Sequence, residues 1–482
     1  MNYRMISTMV GKLLRTEAYL MVCPLIVAFL YRESSDTIAC WLFSIAVLLA
    51  CSCLLTFFRP TNNRFYTREG MVICASLWIL MSFFGGLPLF LTRQFPSLID
   101  SFFEIASGFT TTGASVCNNV EALSHSILFW RSFTHLIGGM GVLVFALALS
   151  PKTSADSVHM MRAEVPGPTF GKLVAKLGRT ARLLYAIYLA MTAIVVVLLL
   201  LGGMPLFDSL CHAFGAAGTG GFGIKNNSIA YYSSSYIHNV LSVSMIAFGI
   251  NFNLYYLLLL KNFRDFFHDE ELRWYLGIIF VAVLLICLNV WPLYTNPLLL
   301  VRDVFFSVSS IITTTGYATA NFDSWPLFSH IVLLLAMFIG SCAGSTGGGL
   351  KVSRVAVYIK AAKAELKKQR EPNRIAPVRF NRRTISEGSL RSLKSYLSCY
   401  LLIFIFMLFI VSLDSPNFQT AFSAVAATLN NIGPGLDVVG PTGNYAGFSA
   451  LSKLTLSMGM ITGRLEIWPV VILCSPKTWR RL

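Results

Sequence analysis

GFTTTGAS, residues 108–115, and SIITTTGYATA, residues 310–320, place the tetrapeptide Thr-Thr-Thr-Gly at two distant points of one chain. Each copy ends an apolar segment too short to cross a bilayer: LIDSFFEIASGFTTTG (98–113) and VRDVFFSVSSIITTTG (301–316). LFDSLCHAFGAAGTGG (206–221) and the more divergent QTAFSAVAATLNNIG (419–433) complete a set of four. A segment of about 13 apolar residues suits a helix that enters the membrane halfway and returns, since a full crossing takes about 20. Aligned on their last glycines, Gly113, Gly221, Gly316 and Gly433, the segments carry Asp100, Asp208, Asp303 and Thr420 at one common offset. Asp and Thr side chains accept hydrogen bonds from the free N–H groups of a first helical turn. The alignment therefore predicts that these four residues are N-caps. Each short helix would run inward from its cap, with the negative end of its dipole facing the glycine turn.

The surroundings are those of a membrane protein. Of 482 residues, 55% are hydrophobic and 12% charged, about half the charged share of an average soluble domain, and mean hydropathy is +0.66. The first apolar run, about Leu20 to Tyr31, follows Lys12 and Arg15 in the manner of a signal sequence. No small-residue cleavage site follows it and a second run, Thr37 to Phe57, comes at once, so it reads as a retained helix. The 11 cysteines are scattered through apolar segments without zinc or disulfide spacing and read as small core residues.

Net charge is +16. The basic residues cluster between the apolar runs: Arg59, Arg64 and Arg68; Lys152 to Arg182; Lys261, Arg264 and Arg273; 351–394, with Lys367, Lys368, Arg370, Arg382 and Arg383; and Lys477, Arg480 and Arg481. Cytoplasmic loops of membrane proteins are enriched in Lys and Arg, which accounts for the charge without nucleic acid as a partner. With about ten crossings of the bilayer, the same rule puts all five clusters and both termini in the cytoplasm.

Around each glycine turn the order repeats: spanning helix, short helix, turn, spanning helix. First helices are expected at about 69–92, 181–203, 271–294 and 394–413, and second helices at about 125–150, 236–261, 327–361 and 449–474. The fold class is all-α and polytopic, with two N-terminal helices and four helix–pore loop–helix repeats around one central pore. The expected units are residues 1–68, the two N-terminal helices; 69–151, repeat 1; 152–262, repeat 2 with a preceding cytoplasmic loop; 263–370, repeat 3 with a glycine-rich intramembrane loop; and 371–482, repeat 4.

A turn at membrane depth exposes backbone carbonyls, which is tolerated only where they line a cavity and have partners. Four such turns around an axis make rings of oxygens that replace the hydration shell of a monovalent cation. Glycine reaches backbone conformations closed to other residues and leaves room beside an ion. The candidate filter residues are Thr111, Thr112 and Gly113; Thr219, Gly220 and Gly221; Thr314, Thr315 and Gly316; and Asn431, Ile432 and Gly433.

These turns, with AEVPGP (163–168), GSCAGSTGGGLKVSR (340–354), LNNIGPGL (429–436) and GRLE (463–466), carry a resemblance over essentially the whole length. The chain resembles the TrkH-type subunits of the Trk/Ktr/HKT family of potassium transporters. The resemblance implies two extra helices and then four repeats in one chain. It implies potassium uptake across the bacterial cytoplasmic (inner) membrane, as channel-like flow or proton-coupled symport. Family members with glycine at all four central filter positions favour potassium, and serine in the first repeat goes with sodium; here all four are glycine. A sodium-permeable or unselective cation transporter of the same fold is the alternative. The resemblance further implies a homodimer, and a cytoplasmic TrkA-type subunit that binds NAD and ATP and docks on the basic face. No cofactor is expected on this chain, and potassium is its substrate. Asn431 and Ile432 depart from the Thr-rich pattern, as does Gly220, which leaves side-chain support at those corners open.

GSCAGSTGGG (340–349) interrupts the unusually long last helix of the third repeat. Its small residues either pack helices closely or, as the resemblance implies, form an intramembrane loop that gates the pore. Gly344, Ser345, Thr346, Gly347, Gly348 and Gly349 are then its gating residues. Arg464, in the last spanning helix, either snorkels or pairs with Glu466, or stands near the pore axis under the filter, as the resemblance implies; intramembrane charges usually face the interior or water. Lys351 reads as a cytoplasmic-end residue. Glu104 either braces the first filter corner or is a buried neutral acid. Asp323 and Asp437 either enrich cations at the outer mouth or are solvated loop acids.

No enzyme is expected. The glycine-rich segment lacks the Lys-Ser/Thr of a phosphate loop, and Ser345 has no histidine at its depth to make a hydrolase. A non-conducting receptor leaves four glycine turns without a purpose.

Overall fold

The computed structural model describes residues 1–57, 67–141, 177–373 and 376–479. The AEVPGP motif, Arg59, Arg64, the basic residues Lys152 to Lys176, and Arg480 and Arg481 lie outside the described residues. Among the described residues the chain is helical apart from one small hairpin, β1 (Arg379–Phe380) paired antiparallel with β2 (Arg383–Thr384).

Among the described residues six helical stretches are long and apolar enough to cross a membrane. The N-terminal one begins earlier than its hydropathy suggested. It comprises α1 (Tyr3–Leu20) and α2 (Val22–Leu30), which interrupt at Met21. Pro24 has no N–H to offer the carbonyl of Leu20, which explains a break there. The second, α3 (Ser35–Phe57), lies against α1 closely enough for the Ser52 hydroxyl to donate to the Gly11 carbonyl at 2.7 Å.

Each repeat then opens with a long apolar helix: α4 (Thr67–Leu91), α7 (Leu177–Leu201), α12 (Glu270–Val290) and α16 (Glu387–Val411). Each is followed by a short buried helix: α5 (Leu98–Phe109), α8 (Leu206–Gly218), α13 (Pro297–Ile312) and α17 (Phe418–Leu429). At 12 to 16 residues, and about 1.5 Å per residue, these reach only partway through a bilayer.

The expected N-caps are not the caps. Ser97 caps α5, Asn296 caps α13 and Asn417 caps α17, while α8 begins after Pro205 with no side-chain cap. A cap has non-helical dihedrals and precedes the helix, whereas Asp100, Asp208 and Thr420 lie inside the first turn and Asp303 inside the second. Their shared offset serves bracing instead. Asp100 takes the Lys453 ammonium at 2.7 Å and Asp208 the Tyr232 hydroxyl at 2.6 Å. Asp303 takes Arg302 Nε at 2.9 Å and the Tyr294 hydroxyl at 3.3 Å, and Thr420 donates to Asp437 at 2.6 Å.

The second helices also differ from expectation: among the described residues those of the second and fourth repeats are interrupted, as the third is at its glycine-rich segment, and that of the first ends early. In the first repeat α6 (His125–Gly139) ends at a Gly138-Gly139 pair. In the second, α9 (Ser235–Phe248) and α10 (Phe252–Leu259) meet at 93° around Gly249, and the short α11 (Phe263–His268) leads on to α12. In the third, α14 (Leu327–Ile339) and α15 (Val352–Arg370) flank the glycine-rich loop. In the fourth, α18 (Ala450–Arg464) and α19 (Trp468–Cys474) are separated by Glu466 and Ile467 at positive φ. The interruptions are a packing requirement. A Cβ on Gly138 would overlap the carbonyl of Phe109, and one on Gly463 that of Leu429, so these helices pass directly under the ends of the short ones.

Candidate functional site

The four short helices end in the same way. Thr112, Gly220, Thr315 and Ile432 donate their N–H groups to the carbonyls of Ser107, Gly215, Ser310 and Ala427 at 2.8–2.9 Å. The preceding residues, Thr111, Thr219, Thr314 and Asn431, bond back to Gly108, Ala216, Ile311 and Thr428 at 3.1–3.2 Å. This double closure is the Schellman end of a helix, whose left-handed position is usually glycine or asparagine. Here it is Thr111 (φ 55), Thr219 (φ 55), Thr314 (φ 59) and Asn431 (φ 58). A β-branched residue there is strained, and such strain persists only where the surroundings impose it. Two residues on, Gly113, Gly221, Gly316 and Gly433 have φ 80, 77, 87 and 95.

The turns meet head to tail. A Cβ on Gly113 would stand 2.0 Å from the carbonyl oxygen of Gly220. One on Gly221 would stand 1.9 Å from that of Thr315, and one on Gly316 2.1 Å from that of Ile432. One on Gly433 would stand 2.6 Å from that of Thr112, which returns to the first repeat. Every glycine faces the carbonyl of the next turn, and the fourth closes on the first.

Side chains behind the ring hold it. Thr110 and Thr313, on the last helical turns, bond the hydroxyls of Thr112 and Thr315 at 2.8 and 2.7 Å. The fourth corner has support after all: Asn431 Nδ2 donates to Thr112 Oγ1 at 3.0 Å and to the Met460 carbonyl at 2.8 Å. Gly220 is required by His135, whose ring would stand 2.2 Å from a Cβ there. His135 Nδ1 donates to the Gly108 carbonyl at 2.8 Å, and Nε2 accepts from the Phe222 N–H at 3.3 Å. That arrangement needs the neutral ring.

Glu104 braces the first corner as an ion pair. It meets Arg131 at 2.7 Å, both side chains essentially buried, and accepts from the Ser115 hydroxyl and the Val116 N–H at 2.9 and 3.0 Å. Arg131 continues to the Gly223 carbonyl at 3.3 Å and lies over the Phe222 ring at 4.2 Å, tying the first turn to the second. Asp437 is engaged by Asn417 and Thr420, both at 2.6 Å, and its N–H donates to Asp323 at 2.9 Å.

Under the ring lies the glycine-rich loop. Gly348 N donates to Thr314 Oγ1 at 2.7 Å. Gly344 O accepts from Phe252 N at 3.0 Å, and the Thr346 hydroxyl donates to the Phe248 carbonyl at 3.2 Å. Ser345 Oγ stays within the loop, on Ser341 and Cys342. Gly344 and Gly349 have positive φ, and a Cβ on Gly347 or Gly348 would overlap its surroundings. Lys351 is not a solvated end residue: it is buried, at φ 79, and its ammonium donates to the Gly347 carbonyl. Arg464 donates to the Thr346, Gly138 and Gly139 carbonyls, the last at 2.6 Å, so it joins the first, third and fourth repeats beneath the ring. Glu466 pairs with Arg354. All twelve candidate filter residues and all candidate gating residues thus meet at one place. Arg131, His135, Lys351 and Arg354 complete it.

The TrkH family profile, described as a cation transport protein, matches residues 41–481. The chain belongs to the TrkH family. Within that family it is 35% identical to the Trk system potassium uptake protein TrkH of Escherichia coli K12, covering 100% of both chains. It is 32% identical to TrkG of the same organism over 99% of each. The crystal structure of the potassium transporter TrkH from Vibrio parahaemolyticus superposes with a TM-score of 0.89 at 31% identity, again covering 100% of both chains. TrkH-family membership makes the chain a multi-pass membrane transporter and not an enzyme.

Proposed function

We propose that this protein takes up potassium across the cytoplasmic membrane, and that the ring of four turns is its selectivity filter. The head-to-tail closure of four glycines on four carbonyls carries this reading. Carbonyl oxygens of Thr111, Thr112 and Gly113, with their counterparts Thr219–Gly221, Thr314–Gly316 and Asn431–Gly433, replace the water of a potassium ion. The C-terminal ends of α5, α8, α13 and α17 point at the ion and add negative potential. Thr111 Oγ1 is a buried oxygen without a hydrogen-bond donor among the described residues, which suits an atom facing the pathway. The related proteins named as potassium uptake proteins support the same ion.

In the same reading the loop 344–349 is the gate. It lies directly beneath Thr314 and is fastened mostly by single hydrogen bonds. Arg464 adds a fixed positive charge below the filter that raises the barrier for cations. The basic face, with exposed Arg379, Arg382 and Arg383, is the cytoplasmic side and the docking surface for a TrkA-type regulatory subunit. Two copies of the chain form the working unit, each divided near residues 68, 151, 262 and 370, the second of which lies outside the described residues.

Rubidium and sodium flux into proteoliposomes tests the proposal, for wild type and Gly113→Ser, with and without a TrkA-type partner. Rubidium flux that potassium competes away, and that loses its preference over sodium in the variant, is expected. Equal sodium and rubidium flux in wild type overturns the potassium assignment, and no flux of either ion with the partner present overturns conduction.

A further inference from the structure

Glu271 lies in the first turn of α12, buried. One of its oxygens, Oε1, accepts from the Ala343 N–H at 2.7 Å and from the Ser353 N–H at 3.1 Å. Those two groups stand on opposite stems of the glycine-rich loop. The other ties between the stems are neutral backbone bonds: Leu350 N to Phe338 O, Lys351 N to Ile339 O and Val352 N to Ser341 O, each 3.0 Å. Hydrogen bonds to a carboxylate are about twice as strong as neutral ones. A single carboxylate oxygen therefore fastens both stems of the loop.

The two residues before Glu271 are fastened to the cytoplasmic hairpin. Asn381, at its tip, accepts from Glu270 N at 2.7 Å and donates its own N–H to Glu270 Oε2 at 3.0 Å. Its amide donates to Asp269 Oδ2 at 2.8 Å. Asp269 is also the N-cap of α12, accepting from Leu272 N at 2.9 Å. Lys360 pairs with Glu270 and donates to the Arg379 carbonyl at 2.9 Å. Asn381 and Arg382 both have positive φ, the tight-turn geometry that fixes a two-residue hairpin loop. The hairpin tip, the cap of α12 and the loop stems are thus joined through three consecutive residues.

We propose that Glu271 is the clasp that keeps the intramembrane loop seated under the ring, and that the hairpin around Asn381 is the handle by which the cytoplasmic face works it. The proposal rests on reading the loop as the gate. Moving the hairpin pulls on Asp269 and Glu270 and loosens the first turn of α12, the part of a helix with fewest internal bonds. Glu271 then leaves Ala343 and Ser353, and the glycines at 344 and 347–349 let the freed loop swing aside. Glu271 is a positioning residue, since it acts on the pathway only through the loop.

The test is rubidium flux through the full chain in proteoliposomes without a partner. Glu271→Ala is expected to raise flux roughly tenfold, the equivalent of losing one or two hydrogen bonds that favour the closed loop, with the rubidium-to-sodium ratio unchanged. Glu271→Gln keeps an acceptor oxygen without the charge and is expected to fall between Glu271→Ala and wild type. Asn381→Ala, at an exposed site with no bearing on core folding, is expected to raise flux in the same direction. Deletion of residues 344–347 is the control for the gate itself. High flux in the deletion with unchanged flux in both Glu271→Ala and Asn381→Ala overturns the clasp and leaves the gate standing. Unchanged flux in the deletion removes the gate reading and the clasp with it. A fall in flux in Glu271→Ala that Gln does not restore marks a merely structural role and also overturns the clasp.

Discussion

Gly113 faces the carbonyl of Gly220 so closely that the smallest side chain would stand 2.0 Å from that oxygen. The same relation recurs around the ring with clearances of 1.9, 2.1 and 2.6 Å. Alanine at these positions must therefore push a neighbouring carbonyl outward, at an overpacking cost of about 1–3 kcal/mol. The expected result is graded. Gly113→Ala, Gly221→Ala and Gly316→Ala should lose most rubidium-over-sodium preference, and Gly433→Ala least. Competition flux on the four variants in parallel measures the order; a ring indifferent to position is incompatible with the clearances.

The buried pair Glu104–Arg131 should behave asymmetrically. Arg131→Met leaves the carboxylate without its cation and is expected to cost about 3–5 kcal/mol. Glu104→Gln with Arg131→Met should recover a large part of that loss. Thermal unfolding in detergent, followed by size-exclusion chromatography, reports the difference. Equal stability of single and double variants would contradict the pairing.

His135 explains why the second turn carries Gly220 where the first and third carry Thr112 and Thr315. Gly220→Thr should destabilise the ring and reduce rubidium flux, whereas Gly220→Thr combined with His135→Ala should restore flux in part. Double-variant cycles on flux give the coupling, expected at about 1–3 kcal/mol for residues in contact.

Asn431 is expected to be irreplaceable by a plain apolar residue. Asn431→Leu removes donors to both Thr112 and Met460, about 1–3 kcal/mol of support. Ion preference should fall while the protein remains folded, and Asn431→Asp, which loses the donors but keeps the size, should resemble it. Selectivity measured together with melting temperature separates the two effects.

Arg464 holds three carbonyls below the ring. Arg464→Ala is expected to raise flux severalfold, and Arg464→Lys to fall between it and wild type, because a point-like ammonium cannot reproduce the guanidinium fork. Current or flux at fixed ion gradient decides it; a lower flux in Arg464→Ala would show that the arginine aids passage.

The ring was legible because its requirements are local. A glycine two residues after a left-handed position cannot be hidden, and Gly113, Gly221, Gly316 and Gly433 stand out even where the threonines are missing. The broken second helices were legible only where glycine was dense, at 340–349. Gly138-Gly139 and Gly249 resemble the small residues of any membrane helix, and only the close approach of Phe109 and Tyr275 in space shows why they are there. The offset shared by Asp100, Asp208, Asp303 and Thr420 was a true signal with the wrong cause, since the bracing partners follow no common spacing: Arg302 is adjacent to Asp303, whereas Lys453 is 353 residues from Asp100. Arg131 and His135 left one trace, two ionisable residues four apart inside a membrane helix and hence on one face. Glu271 left none, because it is one acid in an ordinary acidic first turn.

The last join in the ring links Asn431 to Thr112, 319 residues apart. A chain leaving the ribosome and entering the membrane vectorially makes three corners before the fourth exists. Until then the first corner has an open flank and the third has nothing to lean on. A protein truncated before the final quarter would hold most of its spanning helices and no finished pathway, so a prematurely ended product could not leak ions. Conversely, the two halves of the chain, produced as separate polypeptides, contain every contact the ring needs and should assemble it together.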